Sequence, residues 1–230
     1  MKVNLLSYTK DAERLSAAAA RSCYSKKSAS KLMEEIDEER AGKAISEITG
    51  MGHHSVIEHA SYTFSLEGVS RAMTHQLVRH RIASFSQQSQ RYVPLKEPSY
   101  VMPPSIESDE QLKQEFEELM ETIWSSYRKL ANQVPVEDAR YVLPNACTTN
   151  ITVTMNAREL WHFFTLRCCR RAQWEIRSVA DEMLRQVNEV SPHIFSDAGP
   201  ACVRGPCPEG KLSCGKPRRK ELKGLNRLRP

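Results

Sequence analysis

Ala60-Ser61-Tyr62-Thr63-Phe64-Ser65-Leu66-Glu67 is the stretch that decides the fold. Tyr62, Phe64 and Leu66 fall on one side of an extended chain, and Ser61, Thr63 and Ser65 on the other. Side chains alternate across a strand, so this period of two predicts a half-buried β-strand, with Gly68 expected to end it. A second alternation runs from Thr148 to Met155 and puts Ile151, Val153 and Met155 on one face. Residues 2–8 read as a third strand. Neither an internal repeat nor strict βαβ alternation is visible. The fold class expected is therefore α+β, a mixed domain with a central antiparallel sheet flanked by helices.

Around these strands the helix signals are local. An Ala-rich helix runs through about Arg21. Asp37 to Thr49 carries Ala41, Ile45 and Ile48 at helical spacing, stopped by Gly50 and Gly52. Ser55-Val56-Ile57-Glu58 has the pattern of a capping box opening a short helical turn. Ser70 is placed to cap a helix reaching about His80, with Met73 and Leu77 inward. Pro94, Pro98, Pro103 and Pro104 mark an irregular connection. Leu112, Phe116, Leu119, Ile123, Tyr127 and Leu130 form a long amphipathic stripe that Pro135 stops. Asn156-Ala157-Arg158-Glu159 caps another helix, and Gln173 to Val190 continues helically until Pro192. Cys168 and Cys169 are expected mid-helix, as partly buried packing.

With 230 residues, 40% hydrophobic and 27% charged, the composition is that of a globular chain with no run approaching a membrane span. The N-terminus lacks the apolar stretch of a signal peptide, and seven cysteines form no even framework, so a reducing, cytoplasmic setting is expected. The net charge of +5 is unevenly spread. Residues 211–230 hold eight Lys or Arg and one Glu, a balance of +7, which leaves the first 210 residues at −2. That balance argues against a nucleic-acid-binding domain, so no nucleic acid and no membrane partner is expected. We divide the chain into a catalytic domain over 1–195 and a Cys-containing basic extension over 196–230. Cys202, Cys207 and Cys214 have irregular metal-ligand spacing; the extension reads as reduced, with Arg218, Arg219 and Lys220 solvated, a zinc site being the alternative. His53, His54, Glu58 and His59 do not match the His-Glu-x-x-His zinc helix, and no metal is assigned there.

The chemistry concentrates in Arg79-His80-Arg81-Ile82-Ala83-Ser84-Phe85-Ser86-Gln87-Gln88-Ser89-Gln90-Arg91. Gln76 and Arg79, three apart, are expected on one helix face. Two guanidinium forks suit phosphate or a flat, carbonyl-rich ring. Cations complementing a helix C-terminus account for one arginine, and poorly for Arg-His-Arg with a polar loop behind it. Ser89 and Arg91, two apart in an expected strand, point to one side. Arg158 sits in the first turn of a helix, where the dipole disfavours a cation and an anionic ligand offsets the penalty; His162 follows at i+4, and Arg167 falls about half a turn round.

Arg-His-Arg, seven residues, then Ser resembles the signature of flavin-dependent thymidylate synthases. Further elements resemble that family in the same order: Ala19-Ala20-Arg21-Ser22-Cys23-Tyr24, Gly52 to His59, Gln76, Ala139 to Pro144, Asn156-Ala157-Arg158 with His162, and Arg167 before Ala172-Gln173-Trp174-Glu175. The resemblance implies that Ser55, Arg79, His80, Arg81, Gln87, Asn156, Arg158 and His162 hold FAD. It implies that Gln76, Arg79, Gln87, Ser89, Gln90, Arg91, Arg140 and Arg167 hold dUMP, with Arg167 as the catalytic residue. Gln87 stands where some relatives have Glu, so that contact stays polar without a charge.

The implied reaction methylates dUMP to dTMP, with 5,10-methylenetetrahydrofolate as carbon donor, NADPH as reductant of FAD, and tetrahydrofolate released. The implied assembly is a homotetramer with shared sites. The other thymidylate synthase class resembles a nucleophilic-cysteine design, which the Pro206-Cys207-Pro208 context does not match. The rival readings are a nucleic-acid-binding protein and a flavoprotein acting on another nucleotide.

Overall fold

The computed structural model describes residues 1–95 and 97–218. Four strands, β1 (Lys2–Tyr8), β2 (Ser61–Ser70), β3 (Ala83–Gln87) and β4 (Thr148–Asn156), form one antiparallel sheet in the order β1-β2-β4-β3. The two alternating stretches are thus the central strands. Tyr62, Phe64, Leu66, Ile151, Val153 and Met155 are all buried, as their period requires. The helices are α1 (Ala12–Ser22), α2 (Ala29–Glu35), α3 (Glu38–Gly50), α4 (Arg71–Leu77), α5 (Pro104–Glu107), α6 (Glu110–Ala131), α7 (Val136–Ala139), α8 (Ala157–Arg167), α9 (Trp174–Val190) and α10 (Pro192–Phe195). Among the described residues no helix is long and apolar enough to cross a membrane.

β2 does not stop at Gly68. It passes through it with φ +62° and runs on to Ser70. Glu67 and Gly68 are both half-buried, and the buried parity moves from Leu66 to Val69. One extra residue is accommodated there, as in a β-bulge. The Gly68 N–H donates to Asn150 Oδ1 at 3.0 Å, so a side chain satisfies it.

The residues interleave into two compact units. The first comprises Met1–Lys2, Leu66–Arg79 and Phe85–Thr152. Ser70 Oγ accepts from Met73 N at 3.0 Å and caps α4, as the sequence implies. Main-chain bonds from Arg71 to the Cys147 carbonyl and from Ala72 to the Asn145 carbonyl, 2.9 Å each, pin its start. The helix ends at Leu77 rather than His80, so Arg79 lies beyond it and shares no helical face with Gln76. On α6 the buried face is Met120, Trp124 and Tyr127, while Leu112, Leu119 and Leu130 are exposed. Met120 and Trp124 pack on Cys147, with Leu95, Tyr100, Phe116, Ile123, Leu143 and Ala146 around them. The larger ring, burying more area, selects the face.

The second unit comprises Val3–Ser65, His80–Ser84 and the chain from Val153 onward. Tyr62 packs edge-on against Phe195, ring centroids 5.3 Å apart, and its hydroxyl donates to Ser191 Oγ at 2.7 Å. Burial pushes that phenol above its usual range. The Glu13 carboxylate accepts from the His193 and Ile194 N–H groups and caps α10. Gly42 is required where α3 meets α10: a Cβ there falls 2.5 Å from the His193 ring. Residues His54–His59 form a 3-10 turn whose start lacks a side-chain cap. Ser55 lies inside that turn, so the capping box expected from it does not form. Cys168 caps the C-terminal end of α8, outside the helix, and is fully buried; Cys169 follows it before α9.

Arg218 is not solvated. Its guanidinium grips the Asp181 carboxylate through two bonds of 2.8 and 2.9 Å and donates to the Cys168 carbonyl at 2.6 Å. Arg219 and Lys220 lie outside the described residues. Removing one side of a largely buried, charge-assisted pair strands the other, at a cost of about 1–3 kcal/mol. Arg218→Ala should therefore lower the thermal midpoint by several degrees, whereas a solvated arginine would leave it unmoved; a calorimetric scan of the two proteins decides.

Candidate active site

In the first unit the cations gather around one acid. Arg91 Nε pairs with Glu137 Oε2 at 2.7 Å, and Arg140 Nε donates to the Glu137 carbonyl at 3.1 Å. Arg91 also lies over the Tyr92 ring, 5.4 Å from its centroid. The residues Ser89 to Arg91 form a turn after β3, not a strand. Ser89 Oγ accepts from Arg91 N at 3.1 Å, a local side-chain to backbone bond within the turn. Gln87 donates from Nε2 to Thr74 Oγ1 at 2.9 Å, and Gln90 from Nε2 to Cys147 Sγ at 3.5 Å. Gln76 is half-buried on α4 and Arg79 is exposed just past its end. Arg71, half-buried and close enough to Arg140 for their charges to interact, was not singled out from the sequence; burial lowers its pKa first, and Arg140 adds to that.

In the second unit Asn156 caps α8, its Oδ1 accepting from Glu159 N at 2.9 Å. Arg158 then emerges in the first turn, exposed, and pairs with Glu58. Glu58, expected to serve a capping box, serves this ion pair instead. His162 is exposed one turn on, and Ser55 and Arg81 are exposed as well. His80 points inward, 5% exposed, and Glu159, 6% exposed, meets it: Nδ1 lies 3.0 Å from Glu159 Oε1. On its other side Arg167 Nε donates to His80 Nε2 at 3.2 Å. The His80 ring also stands edge-on to His162, with centroids 5.7 Å apart, and to Phe163 at 5.0 Å. The helical wheel sets Arg158 and Arg167 on opposite sides of α8, yet the long Arg167 side chain reaches the histidine that packs against His162.

Electrostatics follow from burial. It pushes the His80 imidazole below its usual pKa; Arg167 and His162 push the same way, while the bond to Glu159 and its charge oppose. Burial also lowers the Arg167 guanidinium. It raises the thiols of Cys147 and, far more, Cys168, so neither is a ready thiolate nucleophile. Glu159, like Arg71, is a residue that sequence reasoning missed. It was legible only as a capping position three after Asn156, and its burial beside His80 depends on tertiary structure.

Two cavities lie in the second unit, apart from these residues. One of about 560 Å³ is lined by Trp161, with Arg204 over its ring at 5.0 Å and the His54 ring tilted 45° to it at 4.7 Å. The other, about 1020 Å³, is lined by the 200–218 segment and includes Cys169, Cys202, Cys207 and Cys214. Among the described residues no three His, Cys, Asp or Glu side chains come together as a metal site.

Exposed cations beside a capped helix N-terminus suit a ligand with phosphates and fit a dinucleotide flavin. The chain matches, over residues 4–193, the family described as thymidylate synthase complementing protein. It is 54% identical over 219 residues to the flavin-dependent thymidylate synthase of Geobacter sulfurreducens, covering 94% of each chain. It is 48% identical to that of Clostridium tetani, again over 94% of each. Its fold resembles the crystal structure of a UMP/dUMP methylase, PolB, from Streptomyces cacaoi bound with 5-Br dUMP, with a TM-score of 0.75 at 23% identity over 85% of this chain and 93% of that one. With the same ordered motifs on the same kind of fold, the chain belongs to the flavin-dependent thymidylate synthase family.

Proposed function

We infer that this protein methylates dUMP to dTMP with a bound flavin, and the observation that carries the reading is the match to flavin-dependent thymidylate synthases along nearly the whole of both chains. The flavin is FAD, NADPH reduces it, and 5,10-methylenetetrahydrofolate supplies the carbon. Residues 1–195 are the catalytic domain and 196–230 an extension, in a cytoplasmic homotetramer whose sites draw on more than one subunit. The exposed Leu112, Leu119 and Leu130 of α6 support assembly, since such side chains gain from being covered.

The flavin, when bound, supplies the redox chemistry. The chain's own residues bind and orient. Arg158, His162, Ser55, Arg79 and Arg81 present exposed donors to FAD. Gln87 adds its carbonyl. Asn156 spends its Oδ1 on the helix cap, and His80 has both ring nitrogens engaged, so its share in holding FAD falls to its main chain. For dUMP, Arg91 and Arg140 suit the phosphate, with Gln76, Arg79, Gln87, Ser89 and Gln90 as further polar contacts. Ser89 Oγ holds its own loop through Arg91 N, a role of hydrogen bonding rather than attack. Arg167 is the group for the uracil ring. Without a thiolate adding to the ring, C5 becomes reactive only if negative charge on the uracil oxygens is stabilised. A fixed guanidinium does this at no reorganisation cost.

Four outcomes test the reading. The purified protein should be yellow and release FAD on denaturation. Arg158→Ala should weaken FAD binding by about tenfold or more, the worth of one charged hydrogen bond; a colourless protein that takes up no added FAD would overturn the assignment. Arg167→Lys should keep its flavin and reduce it with NADPH, while single-turnover dTMP formation at saturating dUMP drops about 10²–10³-fold. Lysine, a point charge on a flexible stem, does not restore a planar fork. Light scattering should give the mass of four chains, and a monomer's mass would exclude shared sites.

A further inference from the structure

The two contacts of His80 determine where its proton sits. A guanidinium nitrogen only donates, so the Arg167 Nε–H aimed at His80 Nε2 needs a lone pair there. The single proton of the neutral ring is then on Nδ1, 3.0 Å from Glu159 Oε1, and only an accepting oxygen completes that pair. Protonating His80 would set an N–H against a guanidinium N–H and break the Arg167 contact. Burial and the neighbouring cation both keep the ring neutral. Glu159 itself is fixed: its backbone N–H is held by Asn156 Oδ1, which sets its place in the first turn of α8. A carboxylate, an imidazole of defined tautomer and a guanidinium thus form a continuous chain, buried at Glu159 and His80 and half-buried at Arg167.

We propose that Glu159 is a positioning residue for methylation: through His80 it fixes the plane of the Arg167 guanidinium. This rests on the reading of Arg167 as the group that faces the uracil. The logic is that of a carboxylate holding an imidazole in the tautomer its other neighbour requires, a use in which the carboxylate touches no substrate. His80 transmits the orientation because the Arg167 Nε–H is tied to it, and both terminal nitrogens of the fork follow from that tie. Without that tie the guanidinium would spread over more orientations and lose the fixed geometry on which charge stabilisation depends.

The test is Glu159→Gln. The amide can turn its nitrogen to Nδ1, move the ring proton to Nε2 and set N–H against N–H at Arg167. The readout is dTMP formation relative to NADPH-driven flavin reduction in the same holoenzyme, which corrects for folding and flavin content. That ratio should fall about 10–100-fold, the range seen for outer partners of functional histidines, in kcat more than in the KM for dUMP. In an Arg167→Lys background the same change should add little, because the interaction it supports is already gone. An unchanged ratio, or losses that multiply in the double variant, would overturn the proposal. Ring ¹⁵N chemical shifts of His80 in the wild-type holoenzyme give a second check that needs no variant: a protonated Nδ1 and bare Nε2 support the chain, and the opposite tautomer sinks it. If the wild type makes no dTMP, the functional reading fails, while the tautomer measurement still decides whether the chain exists.

Discussion

A carboxylate taken out of water must have partners, and the buried Glu159 is the constraint on which the functional half of α8 depends. Its backbone is held by the Asn156 cap and its side chain by His80. That pairing requires His80 to turn inward, and its neighbours Arg79 and Arg81 are both exposed. The Arg-His-Arg sequence is therefore two exposed cations around one internal strut. The same strut receives Arg167 from the far end of α8, so the two ends of one helix are fixed through a residue that lies outside it.

How much of this was legible in the sequence depended on the range of the interaction. β2 and β4 were readable because alternation is written residue by residue. The caps at Ser70 and Asn156 were readable because each acts three residues ahead. Ser55 carried the same local pattern and failed, because the chain begins its tight turn at His54. The end of α4 was misjudged for a similar reason: Arg79 and His80 continue a helical pattern, but the chain leaves the helix after Leu77 and buries the histidine. On α6 two overlapping apolar stripes competed. Trp124 won through Cys147 and Tyr100, residues distant in sequence whose arrival no periodicity announces. Of the candidate site, the arginines were singled out from motif resemblance, while the pairings made by Glu159, Glu58 and Glu137 were not, because they are tertiary.

Those last two acids share a property. Glu58 holds Arg158 and Glu137 holds Arg91, each as an exposed pair. Exposed pairs contribute about 1 kcal/mol or less, so a phosphate can replace either carboxylate at little cost. The acids orient the two forks. Arg167 is different, since one of its partners is a buried imidazole rather than an exposed carboxylate.

Gly68 bears on how the chain tolerates changes in length. Its extra residue shifts the inward parity of β2 by one, so that Val69 is buried and Ser70 arrives in position to cap α4. Deleting a single residue at 67 or 68 would remove the bulge and leave Val69 inward, but would draw the chain beyond it back by about one strand residue. Ser70 and Met73 would move together and keep their bond, while the start of α4, which carries Gln76, would be pulled from the Cys147 and Asn145 carbonyls that hold Arg71 and Ala72. The bulge therefore acts as a length marker within the protein itself: a single-residue insertion or deletion at 67 or 68 is passed on to the start of α4, so strand and helix keep one fixed spacing.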